Sequence, residues 1–422
     1  MEDYMALSSD QLRVVYDSLK QEYEEFQARN LKLDMSRGKP GADQLDLSQG
    51  LITDTATHTP AGLDCRNYGG TDGFPEIRQL FAEMLEVPAE NVVVGNNSSL
   101  NMMFDKIASA MTHGICGGKP WMLQGGVKFL CPAPGYDRHF TICEYFGIDM
   151  ITIPMTPEGP NMAMVEELVS SDEKIKGMWC VPKYSNPQGI TYSDETVRRI
   201  ANLKPAAKDF RVFWDNAYCV HDLTDTPDHL LPLYAECVKA GNEDLPILFA
   251  STSKISLPGS GVAAMAASAN NLKQDKKRIF TQTVGPDKMN MIRHLDYFKN
   301  MDGIRAQMKR HAEKLAPKFN IVCSKLQEQF GENRILFWTK PNGGYFVSVD
   351  TLEGCAKRVV ELCAQAGVKL TGAGATYPYG KDPHDTNIRL APTFPKVEEL
   401  SVAMDLFCLC VKIASIEKML AE

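Results

Sequence analysis

The sequence predicts an α/β protein, with a large domain built on a mostly parallel, doubly wound sheet and a smaller α+β domain attached to it. Three observations lead to that class. Short, continuously apolar runs recur through the first 300 residues, among them Asn91-Val92-Val93-Val94, Phe129-Leu130-Cys131 and Val212-Phe213-Trp214. Strands that are apolar on both faces belong to parallel sheets covered by helices on both sides. Stretches with helical spacing separate these runs, and after residue 300 the pattern changes to a long polar helix followed by alternating, antiparallel-like segments. A chain of 422 residues exceeds one ordinary core, so residues 46–300 are read as the large domain, and 1–45 with 301–422 as the small one.

Each element has its own signal. Ser9 opens an amphipathic helix, with Leu12, Val15, Tyr16 and Leu19 on one face, running to about Asn30. Met35-Ser36-Arg37-Gly38-Lys39-Pro40-Gly41 follows as a loop carrying two cations. The turn-rich stretch Asn67-Tyr68-Gly69-Gly70-Thr71-Asp72-Gly73 leads into a helix expected to start at Pro75. The strand at 91–94 stops at Gly95-Asn96-Asn97-Ser98-Ser99, and 100–111 continues as a helix. A strand, a small-residue turn and a helix N-terminus together offer free backbone N–H groups to an anion. Further strands are expected at 129–131, 151–153, 177–182, 212–214 and 247–249, then a helix over about 305–329. Strands at 335–338, 343–347 and 387–392, with helices near 355–366 and at the C-terminus, complete the smaller domain.

Composition bounds the function. The net charge is −8 with both signs scattered, so no basic face is expected to meet nucleic acid or an anionic membrane. The acidic start Met1-Glu2-Asp3-Tyr4 does not resemble a signal peptide, and no apolar run reaches spanning length, so a cytoplasmic location is expected. The 12 cysteines are scattered, without a C-x-x-C pair, and are read as reduced thiols rather than disulfides or a zinc site.

Two strand ends carry the chemistry. Leu248-Phe249-Ala250-Ser251-Thr252-Ser253-Lys254 leaves an apolar strand on hydroxyls and one lysine. Phe213-Trp214-Asp215-Asn216-Ala217-Tyr218 leaves another on a carboxylate and a phenol. Ligands of doubly wound sheets bind beyond the carboxyl ends of the strands. Ser98, Tyr136, Asn186, Asp215, Tyr218 and Lys254 all fall there. A lysine, an acid and a phenol so placed are what a pyridoxal phosphate site requires: an amine to attach the cofactor, a carboxylate for its ring nitrogen and a donor for its ring oxygen.

The motifs Asn186-Pro187-x-Gly189, Asp215-x-x-Tyr218, Ser251-x-x-Lys254, Gly343-Gly344-Tyr345-Phe346 and Arg389 resemble, in order, those of fold type I pyridoxal phosphate aminotransferases. Arg37-Gly38-Lys39-Pro40, Asn97-Ser98-Ser99-Leu100-Asn101 and Val284-Gly285-Pro286-Asp287-Lys288 look like one bacterial subgroup of aspartate aminotransferases. The resemblance implies Lys254 as Schiff-base lysine and proton shuttle, Asp215 on the pyridine nitrogen, and Tyr218 with Asn186 on the ring oxygen. It further implies Tyr136 stacked on the ring, Asn96, Asn97, Ser98, Ser251 and Ser253 around the phosphate, and Arg389 on the substrate α-carboxylate. Tyr68 would reach the other subunit's site, implying a homodimer with shared active sites. The substrates would be an amino acid, with aspartate or glutamate expected, and a 2-oxo acid. Arg37, in a loop that Gly38 lets approach a ligand, is the candidate for a distal carboxylate, with Arg293 of a second subunit as the other. One departure stands out: Val262 occupies the position, eight after the lysine, where many relatives carry a basic residue facing the phosphate.

Other readings leave different traces. An aminotransferase for aromatic or other amino acids, or a pyridoxal phosphate lyase, would share nearly all these residues; a lyase needs no keto-acid acceptor. A cofactor-sensing regulator would add a basic DNA-binding domain, and the residues before the fold are few and acidic. Gly259-Ser260-Gly261-Val262-Ala263-Ala264 mimics a dinucleotide fingerprint but lacks a strand directly before it. Ser251-x-x-Lys254 lacks the S-D-N and K-T-G partners of serine β-lactamases, and His384 reads as a solvated turn residue, not a metal ligand.

Overall fold

The computed structural model describes residues 3–36, 38–53, 56–95, 97–332 and 334–421. Among them the main sheet has eight strands, in the order Val92–Gly95, Ala263–Ala266, Pro246–Ser251, Arg211–Asp215, Ile175–Cys180, Lys128–Ala133, Asp149–Thr156 and Gly159–Pro160. The five from Pro246–Ser251 to Asp149–Thr156 pair in parallel. Ala263–Ala266 runs antiparallel to both of its neighbours, and Gly159–Pro160 antiparallel to Asp149–Thr156. Val92–Gly95 therefore points the same way as the parallel set. Its end, with those of Lys128–Ala133, Ile175–Cys180, Arg211–Asp215 and Pro246–Ser251, forms one common carboxyl edge.

Alternate residues of each strand enter different cores, which is why these strands read as unbroken apolar runs. Val92, Val94, Val212, Trp214 and Leu248 pack with the helix Pro75–Leu85 on one face. Val93, Phe213, Ile247 and Phe249 pack with the helix Ser99–His113 on the other. Phe213 is fully buried, with its ring 4.9 Å from Trp179 and 6.2 Å from Phe249.

A third core unites the two ends of the chain. The helix Ser9–Ala28, opened by a capping box between Ser8 and Gln11, contributes Leu12, Tyr23 and Phe26. They pack with residues from Phe319 to Ile416, and Tyr23 Oη donates to the Leu362 carbonyl at 3.0 Å. A three-stranded antiparallel sheet of Leu336–Trp338, Val347–Thr351 and Asn387–Leu390 belongs to this core. The expected strand at 343–347 begins only at Val347, because Gly343 and Gly344 are held as a turn against Tyr184 and His221. The helix Met301–Phe330 joins two cores: Ile304 and Met308 pack under the main sheet, whereas Val322 and Leu326 pack in the third core.

Candidate active site at the carboxyl edge of the sheet

The strand register brings the two chemical strand ends together. Asp215 is the last residue of its strand and pairs with Phe249, so Pro246–Ser251 extends two residues beyond it. The chain then turns back over the edge, held by mutual bonds between Thr252 and Val262: Thr252 N–H donates to the Val262 carbonyl at 2.8 Å, and Val262 N–H to Thr252 Oγ1 at 2.9 Å. The turn delivers Lys254 above Asp215. A cleft of about 290 Å³ opens there, lined by Lys254, Asp215, Tyr218, Asn186 and Tyr136, with Ser98, Ser251, Ser253 and Gly38 around them. Larger hollows of about 840 and 660 Å³ lie elsewhere and include none of these residues.

Asp215 is 2% exposed. Its Oδ2 lies 3.1 Å from His139 Nε2, while Oδ1 is buried with no partner. His139 is pinned in turn by Trp179, stacked at 4.3 Å and 10°. Burial pushes the Lys254 amine below the usual lysine range, and the Asp215 carboxylate only partly offsets that. The Lys254 Nζ stands 5.0 Å over the Tyr218 ring. Burial raises the Tyr218 and Tyr136 phenols well above their usual value, so both stay protonated donors.

An anion cup flanks this group. Ser98 caps Ser99–His113, accepting from the Leu100 N–H at 3.2 Å, and Ser98, Ser99 and Leu100 all line the cleft. The N-terminus of that helix thus faces the cleft beside the hydroxyls of Ser251 and Ser253. Val262 is 2% exposed and turned into the core. Among the described residues lining the cleft the cations are Lys39 and Lys254, and the Lys39 Nζ sits 3.8 Å over the Phe394 ring.

Arg389 lies behind Asn186, donating from Nη1 to Asn186 Oδ1 at 3.1 Å and to Asp137 Oδ1 at 3.0 Å. Its guanidinium stacks 4.8 Å over the Phe346 ring. Gly38 is required at its position, since a Cβ there would lie 2.2 Å from Phe346 Cζ.

The family model for aspartate amino-transferase matches residues 7–422. The chain belongs to that family. It is 44% identical over 413 residues to the aspartate aminotransferase of Corynebacterium glutamicum, covering 97% of this chain and 95% of that protein. The crystal structure of an aspartate transaminase from the same organism superposes with a TM-score of 0.95, at 44% identity and 98% coverage of each chain. An α-aminoadipate aminotransferase from Thermus thermophilus, complexed with N-(5'-phosphopyridoxyl)-L-leucine, shares the fold with a TM-score of 0.72 at 18% identity, covering 93% of this chain and 95% of that one.

The chain is thus an aspartate aminotransferase-like, pyridoxal phosphate-dependent enzyme of transamination. Its residues fit the cofactor on an independent observation: the unpartnered, buried Asp215 Oδ1 is what a protonated ring nitrogen would satisfy. Of the residues expected at the site, the aminotransferase gathers Lys254, Asp215, Tyr218, Asn186, Tyr136, Ser98, Ser251, Ser253 and Gly38 around one cleft. Asn97 is exposed at its rim, where its carbonyl accepts from Ser253 Oγ at 3.3 Å. Tyr68 is 82% exposed and outside the cleft, and Arg293 sits on the helix Lys288–Phe298. Arg37 and Asn96 lie outside the described residues.

Sequence reasoning missed His139, Asp137 and His221. His139 follows Tyr136 by three residues on the helix Asp137–Tyr145, and that spacing to an expected ring-stacking residue was its signal. His221, three residues after Tyr218, is buried beside the Tyr218 and Tyr345 rings with no partner for either nitrogen.

Proposed function

We propose that this aminotransferase exchanges the amino group of a dicarboxylic amino acid, aspartate or glutamate, with a 2-oxo acid. The observation that carries the residue roles is the convergence of Lys254 with an Asp215 whose second oxygen is buried and unpartnered. Pyridoxal phosphate supplies, when bound, an electron sink for the pair left at the substrate α-carbon. The chain's own residues do the rest. Lys254 holds the cofactor covalently and then carries a proton at Nζ, a task its lowered pKa suits. Asp215 Oδ1 would hold the ring nitrogen, while His139 fixes Oδ2. Tyr218 and Asn186 would hold the ring oxygen, Tyr136 would cover the ring, and Ser98, Ser251, Ser253, Asn96 and Asn97 would take the phosphate. Helix dipole and hydroxyls serve there in place of a cation at Val262. Arg389 binds the α-carboxylate and Arg37 the distal one; identity to the Corynebacterium glutamicum aspartate aminotransferase supports a dicarboxylic substrate.

The same reading divides the chain into a cofactor domain, 46–300, and a small domain from 1–45 and 301–422. It also makes the protein a homodimer in which Tyr68 of each protomer reaches the other's site. The loop bearing Tyr68 is braced for such a role, since Lys288 Nζ donates to the Gly69 carbonyl at 2.7 Å. A cytoplasmic setting agrees with 12 free cysteines. The deciding experiment is an amino-donor screen of purified protein with 2-oxoglutarate and oxaloacetate, with borohydride fixation of the cofactor to Lys254. Preference for aromatic donors, or turnover without an acceptor, would overturn the substrate assignment.

A further inference from the structure

The donors of Arg389 are unequally used. Both hydrogens of Nη1 have acceptors, Asp137 Oδ1 at 3.0 Å and Asn186 Oδ1 at 3.1 Å. Nη2 has only a 3.5 Å approach to Thr371 Oγ1, and Nε is buried with no partner. Phe346 covers a face of the fork. A planar guanidinium presents distinct edges to a carboxylate, and bidentate binding needs two adjacent N–H groups. Here Nε is unpaired and Nη2 has only the long Thr371 contact, whereas the Nη1 side is already closed by a carboxylate.

We propose that Asp137 is a positioning residue that holds Arg389 so that a substrate carboxylate docks on the Nε–Nη2 edge, and that it stays bound to Nη1 while substrate is present. The proposal rests on the reading of Arg389 as the α-carboxylate site. Asp137 is placed for this by the fold. It is the first residue of the helix Asp137–Tyr145, directly after Tyr136, which lines the cleft, and two residues before His139, which holds Asp215. One short segment thereby orients both the group that grips the cofactor ring and the group that grips the substrate. An acid at a helix start also complements the helix dipole. That role alone would affect stability and not substrate binding.

The two ideas separate in the kinetics of the holoenzyme. Every amino acid and 2-oxo acid substrate carries the carboxylate that Arg389 receives. Asp137→Ala should therefore raise KM by a common factor of about tenfold for aspartate, alanine and 2-oxoglutarate, the scale of one charge-assisted hydrogen bond, with kcat changing much less. Binding of succinate, a dicarboxylate that cannot react, should weaken by a similar factor in calorimetry. Asp137→Asn keeps an acceptor oxygen and should recover part of the loss; it also serves if the alanine variant folds poorly. Unchanged KM with lowered thermal stability would reduce Asp137 to a helix-start residue and overturn the proposal. A lowered KM would overturn it differently, by showing that Asp137 occupies the substrate's place. The underlying reading fails on another variant: Arg389→Lys with KM and succinate binding intact would remove Arg389 from the carboxylate site.

Discussion

The two sides of Lys254 are built in opposite ways. Toward the cleft, Asp215 Oδ1 is buried without a partner, and so is Nε of Arg389 behind Asn186. On the other side lies a connected polar chain, with the unpartnered His221 ring beside Tyr345. The Tyr345 hydroxyl donates to the Lys254 carbonyl at 3.4 Å and accepts from Gln44 Nε2 at 3.1 Å. Gln44 and Gln307 flank the two nitrogens of His311 at 3.0 and 3.2 Å, and Gln307 Nε2 donates to Ser48 Oγ at 3.0 Å. Gln44, Gln307, His311 and Tyr345 are all essentially inaccessible. A buried polar atom without a partner costs about 1–3 kcal/mol, so such atoms persist where a ligand completes them. A connected polar network instead restrains the geometry. The front of the lysine is thus shaped to react and the back to hold still, and substitutions on the two sides should be told apart by rate against stability.

The largest effect belongs to the lysine itself. Lys254→Ala should lower turnover by about 10²–10⁴-fold or more, the range lost with a positioned proton carrier, and should abolish borohydride fixation while the fold stays intact. Near-normal turnover would move the chemistry elsewhere. Asp215→Asn comes next. It should still fold, because Asn can keep the His139 contact, yet lose about a hundredfold or more in kcat, some 2.7 kcal/mol. A loss below about tenfold would show that another group serves the ring nitrogen.

Specificity should respond more narrowly. Arg37→Ala is expected to lower kcat/KM for aspartate by roughly 10–100-fold, the worth of a charged hydrogen-bond pair, and to leave alanine, which has no distal carboxylate, nearly unchanged. Equal losses for both donors would assign Arg37 to folding or to the α-carboxylate.

The front of the site was far more legible in the sequence than the back. Asp215 ends an apolar strand, and Lys254 and Asn186 lie in the turns that follow two others, a pattern that is local. The doubly wound sheet was legible for the same reason, since both faces of its strands are covered. Asp137 and His139 sit on a helix that reads as ordinary surface, and only the fold brings them against Arg389 and Asp215. Gln44, Gln307 and His311 come from segments more than 250 residues apart, and nothing in the local pattern of a glutamine announces a buried partner. Val262 stands where the resemblance leads one to expect a cation. Its backbone instead anchors the lysine turn from within the core.

The back of the site should announce itself through pH. Burial and the neighbouring Arg310 charge hold His311 down to about 4, and burial does the same to His294, also about 4. Both resist a proton that the unfolded chain takes up near pH 6.5. Their contribution is therefore complete above pH 6.5, declines as pH falls from 6.5 to 4, and is level below. Within that window the slope is at most about 1.4 kcal/mol per pH unit for each group. Thermal unfolding followed across it should show a shallower dependence for His311→Gln than for the parent protein; an unchanged slope would mean that His311 titrates normally.

The smallest effect is the sharpest test of the contrast. Tyr345→Phe removes one hydroxyl and leaves the ring packed between Tyr218 and His221, at 6.0 and 5.7 Å. Without it, Gln44 Nε2 and the Lys254 carbonyl each lose a partner inside a connected network, so the loss should be about 1 kcal/mol of stability. If the back of Lys254 only holds the loop, kcat with aspartate should stay within about threefold, because the groups facing the cleft are untouched. A fall in kcat by tenfold or more at unchanged stability would mean that the Tyr345 hydroxyl sets the lysine's position during the reaction, and the division between a reactive front and a passive back would have to be abandoned.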